Sequence, residues 1–161
     1  MKRAHGLALS LTRGTRAWAP SRVRMSSWAA RALGRRGAGR EIAVRVVTPH
    51  ESRKLNRQWR GKDQPTNVLS FPAPAMKAPA GVKARIDEPL PLGDLVICAD
   101  VVRREALRDG KELSAHWAHM VVHGALQLAG YDHEAGRRER LRMERREIAA
   151  LKNFGIGNPY S

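Results

Sequence analysis

Four of the six histidines, His116, His119, His123 and His133, lie within eighteen residues, and their spacing constrains the fold more than any other feature of the chain. Residues 114–129 read as a helix. Positions 123 and 127 then sit one turn apart on one face, because residues i and i+4 are helical neighbours. Gly130 is placed to stop that helix in a left-handed cap, since it has no Cβ to clash. Tyr131-Asp132 then let the chain double back and bring His133 toward the same face. Two ligands from a helix and one from the following turn can hold a divalent metal and leave a coordination position open, as catalytic rather than structural zinc sites do. In the zinc-protease pattern His-Glu-x-x-His, the residue after the first ligand is the glutamate that acts as base. Here it is Gly124, which transfers no proton. A metal that lowers the pKa of its water and neutralises charge suits phosphodiester hydrolysis better than that peptide chemistry.

Around this segment the pattern is of strands early and helices late. Leu7, Leu9 and Leu11 alternate as in a half-buried strand, over 7–12, and Pro20-Ser21 opens a helix near 21–33. A Gly/Arg-rich link, Gly34 to Gly39, leads to a strand from Ile42 to Val47, a helix over 50–59 and a short strand from Val68 to Phe71. The segment 72–91 holds five prolines and is expected to be an irregular surface loop. Leu92 to Ala99 is apolar enough for a central strand, and helices follow over 100–109, 114–129 and 135–153. This order implies an α+β fold over residues 1–161, a single domain with a mixed sheet of about four strands flanked by helices. The first twenty residues are the stretch expected to be least ordered. The last helix mixes Arg and Glu densely from Arg137 to Glu147, the look of a solvated face, and receives no functional weight.

Thirty Lys and Arg against fifteen Asp and Glu give a net charge of +15. A field of that sign attracts polyanions, nucleic acid above all. Arginine-rich composition is the bland alternative, and nucleic acid is preferred over it. The single Cys98 excludes an internal disulfide framework and points to a reducing, cytoplasmic setting; within Leu95-Val96-Ile97-Cys98-Ala99 it reads as a buried structural thiol. No stretch has the roughly 18 apolar residues of a membrane span. Residues 1–50 carry eleven basic residues and one acid, Glu41, and loosely resemble a transit peptide, but the strand and helix patterns favour a structural role.

Residues 123–133, His-Gly-Ala-Leu-Gln-Leu-Ala-Gly-Tyr-Asp-His, resemble the signature of the YbeY family of bacterial endoribonucleases, His-Gly-x-Leu-His-Leu-x-Gly-Tyr-Asp-His. Every fixed position matches but one. A second segment, Arg60-Gly61-Lys62-Asp63-Gln64-Pro65-Thr66-Asn67-Val68-Leu69-Ser70-Phe71, is similar to the family's other hallmark nearly residue for residue. Pro91 to Ile97, Ala115 to His119 and Asn158-Pro159-Tyr160 add further likeness, so that it covers about residues 41–160.

The resemblance implies a single-strand-specific metallo-endoribonuclease acting in 16S rRNA 3′-end maturation and late ribosome quality control. It implies one zinc ion, the small ribosomal subunit as partner, and a monomer in the cytoplasm. The family's ligands fall on His123, position 127 and His133, and its functional arginine falls on Arg60. Position 127 is Gln127, whose carbonyl oxygen is a poor zinc ligand beside imidazole nitrogen. Three readings follow: weaker binding by His123 and His133, with water or Gln127 completing the shell; substitution by His119, one turn before His123; or an empty site in an impaired enzyme. The first is preferred, and a lone helical histidine such as His119 is more often structural. Arg60 could clamp a phosphate with paired hydrogen bonds. Lys62 could add a point charge. Trp59 could stack on a base, although such a residue more often anchors a helix to the core. The rival reading is a non-catalytic, ribosome-associated RNA-binding factor.

Overall fold

In a computed structural model the protein is described over residues 6–74 and 88–161. Nine main elements follow one another: β1 (Ala8–Arg13), α1 (Arg22–Leu33), β2 (Arg40–Val47), α2 (Pro49–Arg60), β3 (Val68–Pro72), β4 (Leu90–Cys98), α3 (Ala99–Arg108), α4 (Leu113–Leu128) and α5 (Arg137–Lys152). The early segment expected to be least ordered contributes β1, with Ala19 and Pro20 buried behind it. Helix starts are chemically marked. Ser21 accepts a hydrogen bond from the Arg24 amide and Thr48 from that of Glu51, with Pro49 in the first turn of α2. Of the proline-rich stretch, Pro72 belongs to β3 and Leu90 and Pro91 to β4, while 75–87 lies outside the described residues.

The four strands form one mixed sheet in the order β1-β2-β4-β3. β1 and β4 run parallel to β2, and β3 is antiparallel to β4. Side chains alternate across β4, so Leu95 and Ile97 enter the larger core with α1, α4 and α5. Val96 and Cys98 face the other side and pack with Val47, Leu69 and Leu55 of α2. The Cys98 thiol is fully buried, and burial pushes its pKa up. α4 runs through the middle of the larger layer, with Trp117, Val121, Val122 and Ala125 fully enclosed.

Two glycines let α4 lie close to the sheet. A Cβ on Gly124 would stand 2.7 Å from Leu95 Cδ2 and 3.3 Å from Val68 Cγ2. Gly93 has φ +151° at a bulge, where Leu92 is the extra residue between the pairs Glu41–Pro91 and Ile42–Gly93. A Cβ there would collide with the Phe71 carbonyl oxygen and stand 2.7 Å from Leu128 Cδ2, at the end of α4. Gly93→Ala is therefore expected to cost about 3 kcal/mol, since unfavourable backbone strain of about 1–3 kcal/mol is compounded by a clash with main chain. Urea unfolding monitored by circular dichroism measures it, and a loss below about 1 kcal/mol would mean that the bulge relaxes.

Candidate metal centre

The last two turns of α4 deliver His123 and Gln127, and the bend after the helix delivers His133. Gly130 has φ +98°, and the amides of Gly130 and Tyr131 cap the helix on the carbonyls of Gln127 and Leu126. Tyr131 is buried, with the guanidinium carbons of Arg36 and Arg142 at 5.0 Å and 4.8 Å from its ring centroid. Asp132 accepts the Glu134 amide at 2.9 Å. The turn is thus tied down on both sides of His133. The His123 and His133 rings are tilted at 58°, with centroids 5.0 Å apart.

Behind His123 lies a buried carboxylate from a helix that the sequence reading set aside. Glu147 of α5 is fully enclosed, and its Oε1 stands 2.5 Å from His123 Nδ1 and 3.6 Å from His119 Nε2. The Tyr160 hydroxyl donates a short hydrogen bond to its other oxygen and lies 3.2 Å from His119 Nε2. Burial alone would push the Glu147 pKa up, but the hydrogen bonds from His119, His123 and Tyr160 outweigh it and hold the pKa down at about 2. The same surroundings raise the Tyr160 pKa, by burial and by the facing carboxylate. Burial lowers the pKa of His119. A signal for Glu147 existed: Met143, Ala150 and Leu151 repeat at helical spacing, and position 147 falls on their face.

Among the described residues, His119, His123 and Glu147 form a buried group that could hold a metal ion, with ligand atoms within 4.8 Å of one another. Two spacings favour a different division of labour. Donors on one tetrahedral zinc lie about 3.3 Å apart, given bonds of roughly 2.0–2.1 Å. The 2.5 Å between Glu147 and His123 is instead a charge-assisted hydrogen bond. Two imidazoles on one such ion bring their centroids about 5 Å apart. His123 and His133 stand at 5.0 Å, whereas His119 and His123 stand at 6.1 Å. The ring spacing leaves room for a cation between His123 and His133, and Glu147 stands behind His123, where carboxylates commonly orient metal-bound histidines. His119 is pinned by Tyr160. His116 is likewise structural, joined to Glu105 of α3 at 2.9 Å.

His133 lines a cleft of about 490 Å³, together with Trp59, Arg60, Ser70, Phe71, Gln127 and Glu134, and His123 lies behind it. Arg60 Nη2 donates to Glu134 Oε1 at 2.9 Å, which brings the guanidinium beside the His133 turn. Lys62 is exposed on the loop after α2. Trp59 does not anchor α2 to the core: it is 63% exposed and meets Phe71 edge-on, with centroids 6.0 Å apart. The reason is positional, since Leu55, one turn earlier, already fills the contact with the sheet.

These features define an α+β protein with a buried histidine–carboxylate cluster that could hold a metal ion, and with His133 between that cluster's His123 and an open cleft. Residues 20–155 match the family model described as Endoribonuclease YbeY. A protein named Endoribonuclease YbeY from Alkalilimnicola ehrlichii is 51% identical over 148 residues, covering 90% of this chain and 84% of the relative. One of the same name from Methylococcus capsulatus is 47% identical over 152 residues, 94% of each chain. The solution structure of TM1509 from Thermotoga maritima shares the fold, with a TM-score of 0.56 at 22% identity over 89% of this chain and 87% of that one. The chain belongs to the YbeY endoribonuclease family.

Proposed function

We propose that this protein is a metal-dependent, single-strand-specific endoribonuclease acting in 16S rRNA 3′-end maturation and late quality control of the small ribosomal subunit, as a cytoplasmic monomer. The observation that carries the reading is the 5.0 Å pairing of His123 with His133, which lines a cleft that also holds Arg60. A divalent cation, zinc by donor type, would be held by His123 and His133 and would supply a water acidified for attack on a phosphodiester. Glu147 keeps the His123 ring in place. Arg60, now paired with exposed Glu134, exchanges that weak pair for the RNA phosphate and stabilises charge on its oxygens. Trp59 and Phe71 offer aromatic surface to an unstacked base, which favours single strands over duplex. Lys62 and the net charge of +15 draw the polyanion in.

One zinc per chain and cutting of single-stranded RNA are the expected results for the purified protein. Arg60→Ala should cut about 100-fold more slowly with zinc content unchanged, the loss expected when one preorganised charge-stabilising donor is removed. Gln127 favours the rival reading, an RNA-binding factor without catalysis. RNA binding with neither zinc nor cutting would establish that rival.

A further inference from the structure

Gln127 stands where the family pattern has a third ligand histidine, and both ends of its amide are engaged. Ser70 Oγ of β3 lies 2.7 Å from Gln127 Oε1, and Gln127 Nε2 lies 3.3 Å from His133 Nδ1. Ser70 Oγ is also 3.5 Å from the Gly124 carbonyl oxygen. We propose that Gln127 is a positioning residue for His133 rather than a metal ligand, its amide gripping Nδ1 so that Nε2 is presented to the cation. This rests on the reading that His123 and His133 share that cation.

Three observations converge on it. The only ligating atom of glutamine is its carbonyl oxygen, and that oxygen is occupied by the Ser70 hydroxyl. The arrangement repeats that of His123, whose Nδ1 is held by Glu147, so each ring of the pair is engaged at its δ nitrogen. The third is a matter of hydrogen-bond accounting. As the amide stands, its N–H donates to Nδ1, and a neutral His133 carries its proton on Nε2. A half-turn of the amide makes Oε1 the acceptor of an Nδ1–H and frees the Nε2 lone pair. The amide N–H then donates to Ser70, which turns its own proton toward the Gly124 carbonyl. A hydroxyl serves in either role, so every group keeps a partner in both states. Cation loading is in this way coupled to an amide half-turn, with no movement of the backbone.

The test reads zinc affinity by competition with a chromophoric chelator, without RNA, and the His133 tautomer by long-range proton–nitrogen NMR. Gln127→Leu should weaken zinc about 10–100-fold, the usual cost of losing a partner that orients a ligand. Gln127→Glu, which still accepts from Nδ1–H, should stay within about threefold of the parent. In the unaltered protein the His133 proton should sit on Nε2 without zinc and on Nδ1 with it, a measurement that needs no variant to fold. Unchanged affinity in Gln127→Leu overturns the proposal, as does a tautomer indifferent to zinc. A gain above about tenfold in Gln127→Glu would put position 127 on the metal and overturn it too. If the parent binds zinc and His123→Ala does not, such a failure concerns Gln127 alone. A parent that binds no zinc overturns the shared-cation reading itself and this proposal with it.

Discussion

Alanine at position 123 should yield a folded chain that neither retains zinc nor cuts single-stranded RNA. His123 contributes the imidazole held by the buried carboxylate, and its removal leaves His133, at the cleft, as the sole nitrogen donor of the pair. Losing a partner that merely orients a ligand costs about 10–100-fold in affinity, so loss of the ligand itself should exceed about 100-fold, and cutting should fall at least as far. Stability should suffer less. Alanine is the better helix former, the His123 side chain is only partly buried, and Glu147 keeps the Tyr160 hydroxyl. The change in unfolding free energy should be about 1–3 kcal/mol, the cost of one lost partner to a buried polar group. Metal content by mass spectrometry, cleavage of a labelled single strand and thermal unfolding together separate these effects. Cutting that persists at the parental rate in the variant would trace the activity to a contaminating nuclease and remove the proposed centre.

Glu147→Ala should show the reverse ordering, with stability lost first. The carboxylate is fully enclosed and joins α4, α5 and the Tyr160 segment through His123, His119 and the tyrosine hydroxyl. Deleting it leaves these partners facing a gap, a loss of about 3–5 kcal/mol by analogy with broken buried ion pairs. The same contacts set the acid response. Glu147 is held at about 2 in the fold against an ordinary 4.5, so folding favours its charged form. The stabilisation is present above about pH 4.5 and drains away as the pH falls toward 2. Burial lowers the pKa of His119 below its ordinary 6.5, and the fold therefore resists protonation there as well. Acidification below about 6.5 acts against the folded state through that group, in the same direction as Glu147. Urea unfolding of the metal-free protein across a pH series should show stability falling on acidification, and Glu147→Gln should flatten the portion below about 4.5. A parental curve that is level from pH 7 to 3 would contradict the buried carboxylate's role.

The fold was largely legible because its elements carry strong local signals. The helix read over 114–129 is Leu113–Leu128, and the alternation of Leu7, Leu9 and Leu11 marks β1 at the sheet's edge. Capping chemistry at Ser21 and Gly130 is local too, and it reads correctly. What escaped depends on distant partners. In α5 the density of Arg and Glu masks one acid on the Met143–Leu151 face, and only the packing of α5 against α4 tells Glu147 from its solvated neighbours. The bulge at Gly93 has no signal beyond a glycine in a strand, because the Phe71 carbonyl that excludes a side chain there comes from another strand. Trp59 read as an anchor because its size suits a core, yet one turn past Leu55 it stands at the rim of the cleft. Gln127 was recognisable as a departure from pattern, but its role turns on Ser70, fifty-seven positions away along the chain.

The bare backbone at position 124 makes the sheet a gauge for the histidine beside it. With 2.7 Å between a hypothetical Cβ and Leu95, the height of α4 above β4 at this point leaves room for no more than a hydrogen atom. A shorter residue at 95 lets the helix settle inward, a methyl at 124 lifts it, and the imidazole of His123 travels with it in either case. Substitutions at position 95 would thus shift the height of His123 without touching the histidine itself.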